Sequence, residues 1–103
     1  MSKPSIIAKL TTTEDKAAEF EAALAAMVAA AAEEAGLEIY SAHKDPNNPG
    51  TYWFFELYTD DAAVGVHGQG DGMKAAMASL GGLLAGAPEI HMLSSVVAKG
   101  LDL

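Results

Sequence analysis

The chain is predicted to fold as a single α+β domain, residues 1–103, with the ferredoxin-like element order β-α-β-β-α-β. Two patterns predict this class. Short segments of alternating apolar residues occur near both ends and in the middle of the chain, and an alanine-rich helical stretch follows the first of them. With 103 residues, half of them hydrophobic, the chain can bury one modest core.

The first half is expected to form strand, helix and strand. Residues 5–11 alternate as a strand does, and a threonine at 12 or 13 is expected to cap a helix that runs to about Ala35. Gly36 is expected to stop this helix, and residues 37–44 to form the second strand. The larger apolar side chains of the helix fall on one stripe, namely Phe20, Leu24, Met27 and Val28.

A hairpin turn over residues 45–50, Asp-Pro-Asn-Asn-Pro-Gly, is predicted to lead into a third strand over residues 51–58. Because successive strand residues point to opposite faces, two apolar faces result. One carries Tyr52, Phe54, Glu56 and Tyr58, and the other carries Trp53, Phe55 and Leu57.

The remaining elements are expected to be a short helix over 61–67, a third helix over 73–84 and a last strand over 89–98. Asp60 or Asp61 would cap the short helix, and a glycine-rich loop at 68–72 would separate it from the next.

Charge and composition exclude several classes of function. The net charge is −8 and all six basic residues are lysines, so nucleic acid and anionic membranes are poor partners. Without cysteine the chain forms no disulfide and no thiolate metal site. The longest apolar run, residues 22–32, is too short to cross a bilayer, and no signal-peptide pattern follows Met1. We therefore expect a cytoplasmic protein.

Glu56 and His67 are the candidate catalytic residues. A carboxylate within an aromatic strand is costly to bury without a partner, and imidazoles ordinarily titrate near neutrality. His67 could act as a base or hydrogen-bond donor in a pocket between helix and sheet, and Glu56 could orient it or act as an acid or base itself. A helix-end histidine and a hydrogen-bonded strand carboxylate remain the alternatives. Candidate binding residues, which could equally be core, are the aromatic residues Tyr40, Tyr52, Phe54 and Tyr58.

No metal site and no phosphate-binding loop is predicted. His43 and His91 lie on different predicted strands and lack a second ligand at metal-binding spacing. The glycine-rich loop at 68–72 follows a helix rather than a strand, so it does not match a nucleotide-binding motif.

The sheet face without helices is expected to meet a second copy of the chain. A ferredoxin-like sheet carries helices on one face only, yet the aromatic strand is apolar on both. A homodimer through the sheet face would cover it, with Trp53 at the interface.

A series of short motifs resembles the antibiotic biosynthesis monooxygenase family, which includes quinol monooxygenases and haem-degrading enzymes. The motifs extend over nearly the whole chain and are sharpest in its middle third. They are Glu34-Ala35-Gly36, Tyr40, the turn from Asp45 to Gly50, Glu56-Leu57-Tyr58-Thr59-Asp60, Ala62-Ala63 and His67.

The resemblance implies a dimeric α+β barrel with one cavity per subunit. It also implies an enzyme that needs no cofactor and oxidises a quinol or aromatic polyketide with O2. His67 matches a histidine of the motif, whereas Gly72 stands where a second histidine is expected. The haem-degrading branch resembles this chain less, because Ala8, His67 and Met77 stand where that branch carries asparagine, tryptophan and histidine.

Two other functions remain open on the same scaffold. One is a dimeric ligand-binding or stress-response module without catalysis, and the other is an isomerase or cyclase. Only the monooxygenase would consume oxygen with its substrate.

Overall fold

The computed structural model describes residues 2–103. Its strands are β1 (Pro4–Thr11), β2 (Leu37–Lys44), β3 (Thr51–Tyr58) and β4 (Glu89–Ser94), and its α-helices are α1 (Ala17–Ala30), α2 (Asp61–Gln69) and α3 (Asp71–Leu80). The predicted α+β class and the ferredoxin-like order of elements are confirmed. The bounds of β2 and β3 agree with the predicted ones.

The four strands form one antiparallel sheet in the order β2-β3-β1-β4. Glu56 of β3 is paired with Ile6 of β1 on one side and with Tyr40 of β2 on the other. Paired residues point to the same face of a sheet, so these three side chains share the face that the helices cover.

The core lies between this face and the helices. The predicted alternation of β3 is confirmed, since Tyr52, Phe54, Glu56 and Tyr58 are all buried. From the helices, Phe20, Leu24, Met27 and Leu80 complete the buried layer, whereas Val28 is exposed.

The first helix is shorter than predicted. A 3-10 turn over Glu14–Lys16 precedes α1, and a second one over Ala31–Glu33 follows it. Thr12 does not cap the helix, because its hydroxyl donates to the Leu83 carbonyl and its backbone bridges to Leu84. Thr13 makes no side-chain cap bond either.

Gly36 allows the α2 helix to pack closely against the start of β2. The preceding 3-10 turn has already ended at Glu33, so the predicted role of Gly36 as a helix stop is wrong. A Cβ atom at Gly36 would lie 2.5 Å from the Cβ of Ala63, far closer than two carbon atoms can approach. A residue without a side chain is therefore needed where β2 begins.

The prediction of a glycine-rich loop at 68–72 is also wrong. The α2 helix continues to Gln69 and α3 begins at Asp71, so Gly70 alone interrupts them. The third helix ends at Leu80 rather than 84, where two weak helix formers, Gly81 and Gly82, follow. The last strand ends four residues early, at Ser94 instead of 98.

Apolar side chains remain exposed on both faces of β4 and on the face opposite the helices. Ile90 and Met92 are 62% and 68% exposed, because the helices do not cover this edge strand. Trp53 and Leu93 are exposed on the opposite face.

None of the helices formed by residues 2–103 combines the length and apolarity that a membrane span requires.

Candidate functional site

His67 lies on α2, and two local interactions fix the start of that helix. Oδ1 of Asp60 accepts a hydrogen bond from the backbone N–H of Ala63 at 2.9 Å, which satisfies an otherwise free amide of the first turn. The Ala63 methyl group lies directly over Gly36. The helix thereby turns His67 toward the sheet, where the side chain is only 7% exposed.

Glu56 lies on the helix-covered face of β3 and is also 7% exposed. The Tyr58 hydroxyl donates a hydrogen bond to its Oε1 atom. Burial raises the pKa of Glu56 above its ordinary value, and the nearby charge of Glu34 raises it further, while the Tyr58 hydrogen bond and His67 oppose this change. Glu56 thus holds a proton more readily than a carboxyl group in water.

The structure brings His67 between two carboxylates. Its Nδ1 atom lies 3.0 Å from Oε1 and 3.2 Å from Oε2 of Glu34. Its Nε2 atom lies 4.0 Å from Oε1 of Glu56 and is buried without a hydrogen-bond partner among residues 2–103. We call Glu34, Glu56, Tyr58 and His67 the carboxylate–histidine cluster.

Tyr40 borders this cluster. Its ring stacks on Phe54, with centroids 4.8 Å apart and planes at 23°, and meets the His67 ring edge-on at 5.0 Å. Burial raises the pKa of Tyr40, and the charges of Glu56 and Glu34 add to this effect. Burial and the bond to Glu56 likewise raise the pKa of Tyr58. Both phenols therefore stay protonated and can donate hydrogen bonds.

A small apolar cavity of about 80 Å³ opens next to the cluster. Glu56 and Tyr40 supply its ionisable groups, whereas His67 and Tyr58 do not line it. Glu56 therefore stands between the cavity and His67. The remaining lining residues are Ala8, Leu10, Met27, Phe54, Met73, Met77, Leu80, Pro88 and Ile90.

Tyr52 lies elsewhere, although it shares a strand face with Glu56. Its ring packs against Phe20 at 5.0 Å, and its hydroxyl donates to Glu21 at 2.6 Å. Burial and this hydrogen bond raise its pKa to about 12. Tyr52 lines a separate groove of about 460 Å³ between α1 and β2, which also reaches one side of Tyr40.

The other two histidines do not join the cluster. His43 is exposed on β2, where its Nε2 atom is 2.9 Å from the Ser41 hydroxyl, and His91 is exposed on β4. Over residues 2–103, no three histidine, cysteine, aspartate or glutamate side chains are grouped so that they could hold a metal ion.

The sequence predicts no chemistry for Glu34 or Met73. Glu34 belongs to the Glu-Ala-Gly motif before β2, and its contact with His67 joins residues 33 positions apart. Met73 lies on α3 and lines the same cavity as Glu56. Neither of these placements leaves a local pattern in the sequence.

The fold and the site define a small α+β protein with an apolar cavity next to a buried ionisable cluster. The family model of the antibiotic biosynthesis monooxygenases matches residues 5–79. The chain therefore belongs to the antibiotic biosynthesis monooxygenase family, as its motifs predict.

Solved structures agree with this assignment. A protein from Caulobacter crescentus, described as a candidate antibiotic biosynthesis monooxygenase, is 35% identical with a TM-score of 0.88, over 93% of this chain and 92% of its own. A protein of unknown function from Nitrosomonas europaea is 26% identical with a TM-score of 0.85, over 99% and 97% of the two chains. One from Pseudomonas aeruginosa is 26% identical, with a TM-score of 0.83 over 94% and 97%. No curated protein matches the chain.

Proposed function

We propose that this protein is a homodimeric monooxygenase that oxidises a quinol or an aromatic polyketide with O2 and without a cofactor. The observation that carries the proposal is the position of Glu56, a buried carboxyl on the wall of an apolar cavity. Behind it lies Nε2 of His67, which has no hydrogen-bond partner in the part of the chain that the structure describes. A ring hydroxyl that enters the cavity would meet a proton acceptor there.

The reaction requires little from the protein besides control of a proton. Removing the proton from a hydroquinone hydroxyl gives an electron-rich phenolate that can reduce O2 directly. One oxygen atom enters the ring at a C–H position and the other leaves as water. The hydroquinone leaves as a hydroxyquinone and supplies all the electrons. No external reductant is needed, so the balance closes on substrate and O2 alone.

The geometry favours Glu56 as the group that takes the substrate proton. The sequence alone favours His67 for that role, with Glu56 orienting it, but Glu56 lines the cavity and His67 does not. In this proposal His67 receives the proton from Glu56 and returns it when water forms. Tyr40 and Phe54, stacked on each other at the cavity wall, hold the aromatic ring.

Entry of a ring requires the cavity to widen. Its volume of about 80 Å³ is below the roughly 150 Å³ of a cavity that binds benzene. Met77, exposed at the surface of α3, and Met73 on the same helix are unbranched and can change rotamer at low cost. We propose that these two side chains move to admit the substrate.

The homodimer is proposed to form through the sheet face opposite the helices. Trp53, Phe55 and Leu93 lie on that face, and the first and last of them are exposed. Apolar surface of this kind on a sheet is typical of an interface.

A ligand-binding module without catalysis is the second candidate. It is favoured by the hydrogen bond that the Tyr58 hydroxyl donates to Glu56, which satisfies two polar groups inside the protein, and by the predominantly apolar lining of the cavity. Such a cavity could hold an apolar ligand without reacting with it.

Oxygen uptake tests the proposal. The purified protein is incubated with a panel of hydroquinones, with buffer autoxidation subtracted. Glu56→Gln should lower the uptake rate about 100-fold or more, because the amide cannot accept the proton. The matched control is Glu33→Gln, at an exposed glutamate that does not line the cavity.

The outcomes separate the candidate functions. Uptake above autoxidation that Glu56→Gln abolishes and Glu33→Gln retains supports the monooxygenase. Binding of a hydroquinone without uptake supports the ligand-binding module. Conversion of an aromatic substrate without oxygen consumption supports an isomerase or cyclase. Uptake that Glu56→Gln leaves unchanged removes Glu56 from the mechanism.

A further inference from the structure

Glu34 is held in place by the backbone on both sides. Its N–H donates to the Ala31 carbonyl at 3.0 Å, and its carbonyl accepts from the N–H of Leu37 at 3.0 Å. The first bond closes the turn after α1, and the second joins that turn to the start of β2. The Glu34 carboxylate is therefore presented to His67 from a fixed backbone, although its side chain is partly exposed.

The contact with Glu34 decides which nitrogen of His67 carries the proton. An ionised carboxylate can only accept hydrogen bonds, so the Nδ1 atom that faces it at 3.0 Å must be the donor. In a neutral imidazole the other nitrogen then presents a lone pair. That nitrogen is the buried Nε2, which faces Glu56 and has no hydrogen-bond partner among the described residues, 2–103.

We propose that Glu34 is a positioning residue, which holds His67 as the Nδ1–H tautomer and stabilises the imidazolium formed when Nε2 takes the proton of Glu56. This inference rests on the proposed function. In the step, the O–H bond of Glu56 breaks and an N–H bond forms at Nε2. The Glu56 carboxylate is restored, and no electrons leave or enter the pair.

The transfer needs the two atoms to come closer. A separation of 4.0 Å between Nε2 and Oε1 of Glu56 must shorten by about 1 Å to give a hydrogen bond. Glu34 remains on the far side of the ring throughout, so it places a negative charge next to the new imidazolium. A carboxylate that orients a histidine and offsets its charge has the same part in hydrolytic triads.

The tautomer can be measured without any substrate. Nitrogen-15 spectra of the imidazole rings are recorded at a pH where His67 is neutral, and its signals are assigned by their loss in His67→Asn. The unaltered protein should show a protonated Nδ1 and an unprotonated Nε2. In Glu34→Ala nothing holds the proton on Nδ1, and the Glu56 carboxylate can attract it to Nε2, so the population should shift toward the Nε2–H form.

Glu33→Ala is the matched control, since Glu33 is adjacent and exposed but does not contact His67. If Glu34→Ala does not fold, Glu34→Gln replaces it. The carboxamide can donate to Nδ1 as well as accept from it, so the single tautomer should become a mixture. An unprotonated Nδ1 in the unaltered protein, or spectra that Glu34→Ala or Glu34→Gln changes no more than Glu33→Ala does, would overturn the proposal.

Kinetics supply the second readout. With a hydroquinone that the protein oxidises, Glu34→Ala should lower kcat about 100-fold and leave KM unchanged, because Glu34 does not line the cavity. A change in KM alone would contradict a role in proton transfer. Absence of oxygen uptake by the unaltered protein would reject the proposed function, whereas the tautomer spectra would still decide the positioning by Glu34.

Discussion

The Nε2 atom of His67 faces Oε1 of Glu56 across 4.0 Å, inside the protein, and makes no hydrogen bond within residues 2–103. The separation is too long for a hydrogen bond and short enough for a strong electrostatic influence. A buried imidazole nitrogen without a partner costs free energy, so this pair is unlike a stabilising ion pair. The two side chains are instead placed so that a small movement would let a proton pass from one to the other.

The raised pKa of Glu56 predicts how stability depends on pH. A carboxyl whose pKa is raised on folding contributes most stability below its ordinary value of 4.5, and this contribution is lost as the pH rises through the folded pKa. Glutamine does not titrate. Relative to Glu56→Gln, the free energy of unfolding of the unaltered protein should therefore fall as the pH increases from about 4.5.

Urea unfolding of both proteins at a series of pH values measures this difference. The ionisable groups that face Glu56 are the same in both proteins. Subtracting one unfolding free energy from the other therefore removes most of the effect of their own titration. These groups are Tyr40, Tyr58, His67 and Glu34. A difference that stays constant over the series would show that folding leaves the pKa of Glu56 unchanged.

Tyr58→Phe should destabilise the protein by about 1–3 kcal/mol, because it leaves a buried carboxyl group without its donor. It should also raise the pKa of Glu56 further, since the lost hydrogen bond lowers that pKa. The acid limb of the pH–rate profile of oxygen uptake, where the rate rises as Glu56 loses its proton, would then move to higher pH.

Tyr52→Phe is the matched control for Tyr58→Phe. It removes a phenol hydroxyl from the same strand, but the partner there is exposed Glu21, which water can solvate instead. Urea unfolding should give a smaller loss for Tyr52→Phe, and its acid limb should not move. If both variants lost the same free energy of unfolding, the buried carboxyl of Glu56 would not depend on its Tyr58 donor more than exposed Glu21 depends on Tyr52.

Gly36→Ala should destabilise the protein by about 1–3 kcal/mol, because the new methyl group would overlap the Ala63 side chain at 2.5 Å. The α2 helix must move away to relieve the overlap, and His67 moves with it. Oxygen uptake should therefore fall together with stability.

A double-mutant cycle isolates this contact. Ala63→Gly removes the overlapping atom, at the usual cost of about 0.5–1 kcal/mol for glycine in a helix. The Gly36→Ala/Ala63→Gly protein should then be more stable than the two single losses predict together. Additive losses would mean that the overlap is relieved without moving α2.

Trp53→Asp should weaken the proposed homodimer, because it places a charge on the sheet face opposite the helices. Light scattering coupled to size-exclusion chromatography should show a larger monomer fraction at equal concentration. Val66→Asp alters an even more exposed apolar residue, on α2, and should leave the mass unchanged. A monomeric unaltered protein would refute the dimer outright.

Local patterns were sufficient to predict most of the fold. The alternation of residues 51–58 predicted which side chains β3 buries, and the cap at Asp60 predicted where α2 begins. The predicted end of α2 at His67 is wrong, because Gly68 does not break the helix. A single glycine costs only about 1 kcal/mol in a helix, which packing of the buried face can offset.

The composition of the site was less predictable, because it depends on distances along and between elements. Tyr52 and Tyr58 share one strand face, yet six residues of strand separate them by about 20 Å. Only the residues close to Glu56 can take part in its chemistry. The partner of His67 on the other side, Glu34, lies 33 positions away and came next to it only through the packing of α2 on the start of β2.

Among residues 2–103, three methionines line the cavity, Met27, Met73 and Met77. Unbranched thioethers adjust their rotamers easily, so such a wall discriminates poorly between rings of different outline. Discrimination then depends on charge, since Glu56 and Glu34 repel anions and no lysine of the described residues lines the cavity. The protein should accept a broad range of uncharged aromatic compounds and reject those that carry a carboxylate or a sulfonate.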